Sequence, residues 1–273
     1  MTTLSYHIGT MGFAYEQWRN GVFYPAGMSQ RQSLGYYSQR FNAVEMDSTF
    51  YGVPQPSTIQ RWTAVTESPF TICPKTPRDI TTNLRLGNVV APMLTFLDAI
   101  RLLGEKLGPI LIQFPPDFTN DYHARLDDFL TVLPTDLRYA VEFRHRSWDT
   151  PETAVLLTKL NIAWVMADYI HMPQRITYRT ADFLYLRFIG PHGQFATKDH
   201  EILDKTAVLQ QWHQQILEHE GEITATSTSS VQSVYAFFNN DYSGYSPATA
   251  NKFKEIIGLA PAEIRPYQQG RLF

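Results

Sequence analysis

Two hydrophobic periods alternate along this chain. Short apolar runs, typical of buried strands, are separated by longer segments in which apolar residues recur at the spacing of one helix face. The pattern predicts strands at residues 4–9, 43–46, 70–75, 110–114, 139–144, 162–168, 183–188 and 234–239. It predicts helices at residues 29–40, 57–65, 89–107, 123–133, 151–160, 199–218 and 247–257.

Strands that alternate with helices in this way indicate parallel βα units. Eight strands in a chain of 273 residues predict a single closed (β/α)8 TIM-type barrel, forming one domain over residues 1–273. Segment 169–182 has no helical period, so we expect an irregular sixth crossover, and we expect the tail after about residue 261 to be loosely attached. An open doubly wound sheet is the competing fold, but the glycines after the first strand lack the spacing of a phosphate-binding loop.

The composition is that of an ordinary globular protein, with 44% hydrophobic and 18% charged residues. A net charge of -3 provides no general attraction to nucleic acid or to anionic membranes. Cys73 is the single cysteine, so no disulfide forms within the chain. The sequence shows neither a signal-peptide pattern nor an apolar run long enough to span a membrane. We therefore expect a cytoplasmic protein with no membrane partner.

Polar side chains recur near the carboxyl ends of seven successive predicted strands. They are Glu45, Asp47, Lys75, Gln113, Glu142, Arg144, Asp168, Arg187 and Asn239. In parallel α/β barrels these strand ends carry the active site. Polar groups in phase on so many strands favour one common pocket over a set of unrelated caps and surface groups.

The stretch YAVEFRHRSW (139–148) concentrates these features. Glu142 and Arg144 share one parity of the strand, and a buried charge is costly unless it is paired or bound to a ligand. The two residues form either a structural ion pair that closes the strand or part of a pocket wall, with His145 and Trp148 on the loop above. The aromatic residues on the loops at this end either stack on a sugar or base or pack against each other as a lid; they include Trp18, Tyr51 and Trp148.

Several motifs resemble those of one family. They are GFAYEQW…FYP (12–25), VEMDSTFY (44–51), CPKTP (73–77), ILIQFPPDF (110–118), AVEFRHRSW (140–148), LYLRFIG (184–190) and FFNND (237–241). In order and over nearly the whole chain, they resemble the DUF72 or YecE-like family. The resemblance implies a TIM-type barrel of unestablished biochemical function. It also implies two histidines that this chain lacks, because Thr82 and Ile189 stand at those positions.

The charges of the predicted pocket nearly balance, with carboxylates at Glu45, Asp47, Glu142 and Asp168 and cations at Lys75, Arg144 and Arg187. A divalent metal favours carboxylates and histidines without rival cations between them, so we predict no metal and no cofactor. The three cations instead predict a clamp for a phosphate or carboxylate group. The other predicted binding residues are Gln113, Asn239, Asp47, His145, Trp148, Tyr51 and Trp18.

Glu142 or Glu45 is the predicted general base, with Lys75 and Asp168 as further catalytic candidates. Covalent catalysis by Lys75 requires a depressed pKa, and we expect the neighbouring carboxylates to raise that pKa instead. The leading hypothesis is an enzyme that acts by acid–base chemistry on a small anionic substrate, phosphorylated or sugar-like.

Two alternatives stay open. One is a non-catalytic protein that binds an anionic metabolite or a nucleic-acid end, although the net charge does not favour nucleic acid. The other is a metal-dependent phosphodiesterase or isomerase. The sequence predicts no oligomeric state.

Overall fold

The computed structural model describes residues 4–172, 178–220 and 230–264. Its strands are β1 (Ser5–Met11), β2 (Ala43–Met46), β3 (Thr71–Pro74), β4 (Ile110–Gln113), β5 (Tyr139–Glu142), β6 (Ala163–Trp164), β7 (Met166–Asp168), β8 (Phe183–Phe188) and β9 (Ser233–Phe238). Its helices are α1 (Ser33–Ser38), α2 (Pro56–Val65), α3 (Val90–Ile100), α4 (His123–Thr131), α5 (Pro151–Lys159), α6 (Thr206–Glu220), α7 (Asn240–Ser243) and α8 (Ser246–Ile256).

All strand pairs in the described residues are parallel, as expected for strands joined by crossovers. Six strands form one sheet in the order β3-β2-β1-β9-β8-β7, and three form a second in the order β4-β5-β6. The predicted strand at 162–168 is divided, since β6 pairs with β5 and β7 pairs with β8. The structure therefore confirms a parallel α/β fold.

Backbone contacts link the two sheets at both junctions. The amide of Gly108 donates to the Ile72 carbonyl and that of Thr76 to the Leu111 carbonyl, each at 2.8 Å, which connects β3 to the neighbourhood of β4. Isolated parallel bridges occur at the same place. At the other junction, the amide of Val165 extends the β5–β6 pairing by donating to the Val141 carbonyl at 2.9 Å, and the chain passes directly from Val165 into β7 of the six-stranded sheet. These contacts are local, so the strands still form two separate hydrogen-bonded sheets.

Alternation along the strands sorts the buried side chains into two clusters. The side chains on one face of the strands belong to the large cluster, which also includes helix residues such as Phe96 and Leu157. The other parity forms a small cluster, made of Met11, Ala43, Cys73, Leu111, Ala140, Ala163, Val165, Ala181, Phe183, Tyr185, Tyr235 and Phe237. The polar residues of the candidate site continue the small-cluster parity toward the carboxyl ends of the strands.

Two predicted helices differ from the observed ones for local reasons. The predicted helix 89–107 ends at Ile100, and a 3-10 segment follows in which Gly104 has a φ of 56° that right-handed helix does not allow. The predicted helix 199–218 begins later, at Thr206, because the Asp204 carboxylate accepts the Thr206 amide at 2.9 Å.

The described parts of the sixth crossover, 169–172 and 178–182, contain no helix, and residues 173–177 lie outside the described ranges. The tail after about residue 261 was predicted to be loosely attached, but its first residues are hydrogen-bonded to the fold. Ala262 exchanges hydrogen bonds of 2.7 and 2.8 Å with the Asn251 side chain. Residues 265–273 of that tail lie outside the described residues. Across the helices that the structure describes, none is both long enough and apolar enough to cross a membrane.

Candidate functional site

A pocket of about 280 Å³ opens at the carboxyl ends of the strands. Its walls include predicted residues from several strands: Asp47, Tyr51, Lys75, Gln113, Arg144, Arg187 and Asn239. Glu45 and Glu142 lie beneath this wall, fully buried and bonded to Arg187. The structure thus brings together most of the side chains that the alternation pattern placed on one face.

Arg187 is the centre of the buried network. Its Nε and Nη2 donate to the two carboxylate oxygens of Glu45, at 3.0 and 2.7 Å. Its Nη1 donates to Glu142 Oε2 and, at 3.2 Å, to Gln113 Oε1. All its nitrogens are therefore engaged, so Arg187 lines the pocket without a free donor to offer a ligand.

Arg144 completes the pairing of Glu142 from the pocket side. Its Nε donates to Glu142 Oε1 at 2.6 Å, and its Nη2 donates to Gln113 Oε1 at 3.3 Å. Its guanidinium also lies 5.3 Å from the centre of the Tyr169 ring. Within the described part of the chain, no hydrogen bond engages Arg144 Nη1, and the side chain is 21% exposed.

Lys75 lines the same pocket, with a fixed backbone and an amine that no hydrogen bond holds. Thr49 Oγ1 accepts the Lys75 amide at 2.9 Å and donates to its carbonyl at 2.7 Å. The amine lies 4.3 Å from the centre of the Phe50 ring, and its nearest carboxylate oxygen, Asp47 Oδ1, is 3.8 Å away. No described acceptor lies within hydrogen-bond distance of Lys75 Nζ.

The environments of the two buried carboxylates push their pKa values apart. Burial acts to raise the pKa of Glu142, but the guanidinium groups of Arg187 and Arg144 outweigh it and hold the pKa at about 2. Burial raises the pKa of Glu45, and the attraction of Arg187 opposes the rise only in part. Glu142 is consequently a weak base whose oxygens are both occupied.

The pKa of Lys75 is lowered, not raised as expected. Burial lowers it most, and the positive charge of Arg187 adds to the effect, while Asp47, Glu45 and Glu142 act in the opposite direction. The expectation failed because it assumed close contact with the carboxylates, whereas Arg187 and Arg144 neutralise Glu45 and Glu142 at short range.

Asp168 lies elsewhere than predicted. Its Oδ2 accepts the Tyr242 hydroxyl at 2.6 Å and the Trp212 indole at 3.2 Å, which turns it toward α6 and α7. It shares its parity with Trp164 and Met166, which belong to the large cluster. We correct its placement: Asp168 anchors helices to the sheet and lies outside the pocket.

Two tryptophans assigned to the pocket are core residues instead. Trp18 is fully buried, packs on Phe23 at a ring distance of 5.4 Å, and donates to Asn240. Trp148 is equally buried; it stacks on Phe143 at 4.5 Å and donates to the Phe118 carbonyl. Neither indole faces the pocket. We therefore correct the prediction that they contact a ligand, since both residues pack in the core.

His145, Asn239 and Tyr51 occupy the rim in different ways. His145 Nδ1 accepts the Ser147 amide at 3.2 Å and so caps the 3-10 turn, and it is not among the pocket-lining residues. Asn239 lines the pocket while its Oδ1 accepts the Asp241 amide at the start of α7. Tyr51 is 81% exposed at the mouth.

Several residues that line or support the pocket were not predicted from the sequence. Tyr185 donates its hydroxyl to Glu45 Oε2 at 2.9 Å, and its parity with Arg187 was the available signal. The wall also contains Met11, Phe50, Tyr169, Ile189, Gly190 and His192. Ile189 places an apolar side chain where the family resemblance implies a histidine.

A second pocket of about 540 Å³ adjoins the first, and both are lined by Asp47 and Tyr51. Its other walls include Phe13, Tyr15, Arg61 and Trp62. The first pocket is lined mainly by charged groups and the second by aromatic and polar groups. Among the described residues, no group of three or more His, Cys, Asp or Glu side chains is arranged to hold a metal ion.

Fold and site together define a parallel α/β protein with a charged, ligand-sized pocket at the carboxyl ends of its strands. The chain matches the family model described as "Protein of unknown function DUF72" over residues 7–271, and it belongs to that family. The resemblance drawn from the sequence motifs is therefore confirmed.

Relatives extend the comparison to named proteins. The UPF0759 protein YecE of Escherichia coli (strain K12) is 31% identical over 129 residues, which is 47% of this chain and 46% of that protein, so the match spans just under half of its length. The UPF0759 protein YunF of Bacillus subtilis (strain 168) is 23% identical over 269 residues, covering 88% of this chain and 94% of that one. A crystal structure of a DUF72 family protein from Thermotoga maritima has 28% identity and a TM-score of 0.72, covering 93% of this chain and 99% of that one.

Proposed function

We propose that this DUF72 protein is an enzyme that acts by acid–base chemistry on a small anionic substrate, phosphorylated or sugar-like, bound in the strand-end pocket. The observation that carries the proposal is a pair of cations with unused donors that line the same pocket. Lys75 Nζ has no close acceptor, and Arg144 Nη1 has no partner in the described residues.

The charge beneath the pocket makes these two donors effective. The guanidinium groups of Arg187 and Arg144 together balance the carboxylates of Glu45 and Glu142, so the floor does not strongly repel an anion. Each charge-assisted hydrogen bond to a phosphate or carboxylate contributes roughly 1.5–3 kcal/mol. The predicted clamp of three cations thus becomes a clamp of two, Lys75 and Arg144, with the Gln113 amide nitrogen as a third donor.

The two pockets, which share Asp47 and Tyr51 in their walls, support a substrate larger than the anion itself. The charged pocket suits a phosphate or carboxylate, and the adjoining pocket, lined by Tyr51, Trp62 and Arg61, suits a sugar or another flat polar group. Asp47 lines both pockets and lies nearest to the Lys75 amine. Asp47 and Lys75 are accordingly the proposed acid–base groups, because the oxygens of Glu142 and Glu45 are already bonded.

We also propose that the two sheets are arcs of one closed (β/α)8 barrel and that residues 1–273 form one domain. The bridges next to β3 and β4 support closure at one junction, and the single residue between β6 and β7 supports it at the other. The single cysteine supports a cytoplasmic location.

A non-catalytic anion-binding protein is the second candidate, because one specific observation favours it. Both buried carboxylates are saturated by guanidinium donors, an arrangement that serves to hold Arg187 and Arg144 in place without any proton transfer. The bound anion would then be a metabolite or a nucleic-acid end. No specific observation favours the metal-dependent alternative.

Calorimetric titration with inorganic phosphate tests the anion site. Arg144→Gln should weaken phosphate binding by about tenfold to a hundredfold, because it removes one charge-assisted contact. The matched control is Arg146→Gln: Arg146 is exposed on the same loop and donates to the His171 carbonyl outside the pocket, so binding should persist. Equal weakening by both changes, or no binding by the unaltered protein, would overturn the proposal.

Turnover then separates the enzyme from the binding protein. Phosphorylated sugars that raise the melting temperature are assayed for conversion with the unaltered protein and with Asp47→Asn. An enzyme should lose turnover in this variant while phosphate still binds. Binding without conversion of any stabilising compound would favour the second candidate.

A further inference from the structure

Three other lysines of the described chain have a close acceptor for the amine, whereas Lys75, the one that is buried among the described residues, has none. Lys106 donates to the Thr63 carbonyl at 2.7 Å, Lys198 pairs with Asp241 at 2.9 Å, and Lys252 pairs with Glu201 at 2.6 Å. Each of these contacts stabilises an ammonium. Lys75 Nζ instead lies in a pocket wall, nine-tenths buried, with its nearest carboxylate oxygen at 3.8 Å.

The surroundings hold this amine in position while disfavouring its charge. Thr49 fixes both backbone groups of Lys75, so the side chain starts from a rigid point. Arg187, buried and permanently charged, lies on the next wall of the same pocket. Burial and Arg187 lower the pKa of Lys75 in spite of Asp47, Glu45, Glu142 and the Phe50 ring. The Lys75 ammonium, which binds an anion, therefore gives up its proton more readily than an ordinary lysine does, and the neutral amine that results is a nucleophile.

We propose that Lys75 forms a Schiff base with a substrate that combines an aldehyde or ketone with a carboxylate or phosphate. This inference rests on the proposed anion site, since Arg144 would hold the acidic group while the carbonyl carbon faces Lys75. It narrows the substrate class from small anions to small oxo acids and phosphorylated carbonyl compounds.

The reaction balances without any further reagent. The lone pair of the neutral Lys75 amine forms a bond to the carbonyl carbon, and the C=O π electrons move to oxygen. A proton leaves nitrogen and one reaches that oxygen, with Asp47 as the carrier, to give a carbinolamine. Asp47 in its protonated form then donates to this hydroxyl, one water molecule leaves as the nitrogen lone pair forms the C=N bond, and the remaining proton of the nitrogen returns to Asp47.

Cys73 is the obvious competing nucleophile, and the structure removes it from consideration. Its side chain is fully buried two residues deeper on β3, and burial raises its pKa well above the ordinary value. It reaches no pocket wall. Cys73 therefore does not compete with Lys75 in this pocket.

Reductive trapping tests the proposal directly. The full chain is incubated at neutral pH with glyoxylate, an aldehyde that carries a carboxylate, and then reduced with sodium borohydride. Intact-mass measurement and peptide mapping should show a single adduct on Lys75, formed roughly tenfold faster than on any other lysine. Propanal, which lacks the acidic group, should label Lys75 much more slowly.

Variants define the roles of the neighbours. Lys75→Arg keeps the charge and should abolish the adduct, and an unchanged melting temperature shows that the fold survives. Lys198→Arg is the matched control and should leave labelling unchanged. Asp47→Asn should slow adduct formation about tenfold without preventing phosphate binding, a split that a structural role for Asp47 would not produce.

The outcomes separate this inference from the proposed function. If phosphate binds and Arg144→Gln weakens it, but no adduct forms on Lys75, the Schiff base is wrong and the anion site stands. If glyoxylate labels Lys75 but added inorganic phosphate does not slow the labelling, the proposed anion site is wrong. Equal labelling of all exposed lysines would overturn the Schiff base.

Discussion

Arg187 connects residues that are far apart in the chain into one charged unit. It bonds to Glu45 across 142 positions and to Glu142 across 45, and Arg144 extends the unit to the pocket surface. A buried ion pair is costly to assemble, but removing one member leaves its partner unpaired in a low-dielectric site. We infer that this charged unit mainly positions Arg144 and determines the electrostatic potential around Lys75.

Glu142→Gln should therefore destabilise the fold by about 3 kcal/mol or more, because Arg187 and Arg144 lose a shared counter-charge. Urea unfolding at neutral pH measures the change. The control is Asp136→Asn, which alters an exposed pair with Arg101 and should change stability little.

The pH dependence of unfolding provides a second readout for the same variant. The pKa of Glu142 is lowered from 4.5 to about 2 in the folded state, so its stabilisation is fully present above pH 4.5 and is lost as the pH falls through about 2. Glu142→Gln should remove this part of the acid-induced loss of stability. If the variant loses stability in acid to the same extent as the unaltered protein, the lowered pKa of Glu142 is contradicted.

Among the structural elements, the segments that follow the strands shape the pocket. After β8, Gly190 has a φ of +69°, and a Cβ at this position would lie 2.1 Å from the Asp241 carbonyl oxygen in α7. The close approach lets the loop after β8 pack on α7 while Ile189 and Gly190 line the pocket.

Gly190→Ala should be more destabilising than Gly193→Ala. Both glycines have positive φ, at +69° and +73°, so both substitutions cost roughly 1–2 kcal/mol in backbone strain. Nothing lies within 4 Å of a Cβ at Gly193, whereas the clash at Gly190 should add roughly 1–3 kcal/mol. Urea unfolding measures both costs, and equal values would show that the packing of this loop on α7 is unimportant.

At the scale of the whole molecule, the prediction concerns whether the two sheets unfold as one unit. If they are arcs of one closed barrel, the amides that connect them should be as protected from hydrogen exchange as those inside the ladders. The Thr76 and Gly108 amides, bonded across the β3–β4 junction, should then exchange only through global unfolding.

Native-state hydrogen exchange measures this protection, with amides of the β1–β9 ladder as the internal reference. Exchange at Thr76 and Gly108 should follow the reference amides as urea is added. Faster exchange at these two positions, together with early opening of β4, β5 and β6, would indicate that the three-stranded sheet unfolds separately.

The sequence by itself determined the parallel α/β class, the family and most of the pocket residues, because these depend on local periods and motifs. Alternation within each strand placed Glu45, Gln113, Glu142 and Arg187 on one face, and the structure places them there. Asp168 was misassigned because its position at a strand end was considered without its parity.

Only the tertiary structure decided which charges pair, which aromatic rings are buried and which amine is left free. Trp18 and Trp148 lie on loops whose sequences do not reveal what covers them, and both are in the core. The pKa of Lys75 depends on ångström-scale distances to groups on other strands. Electrostatic energy varies with distance and burial, and the linear order of residues specifies neither until the strands have been brought together.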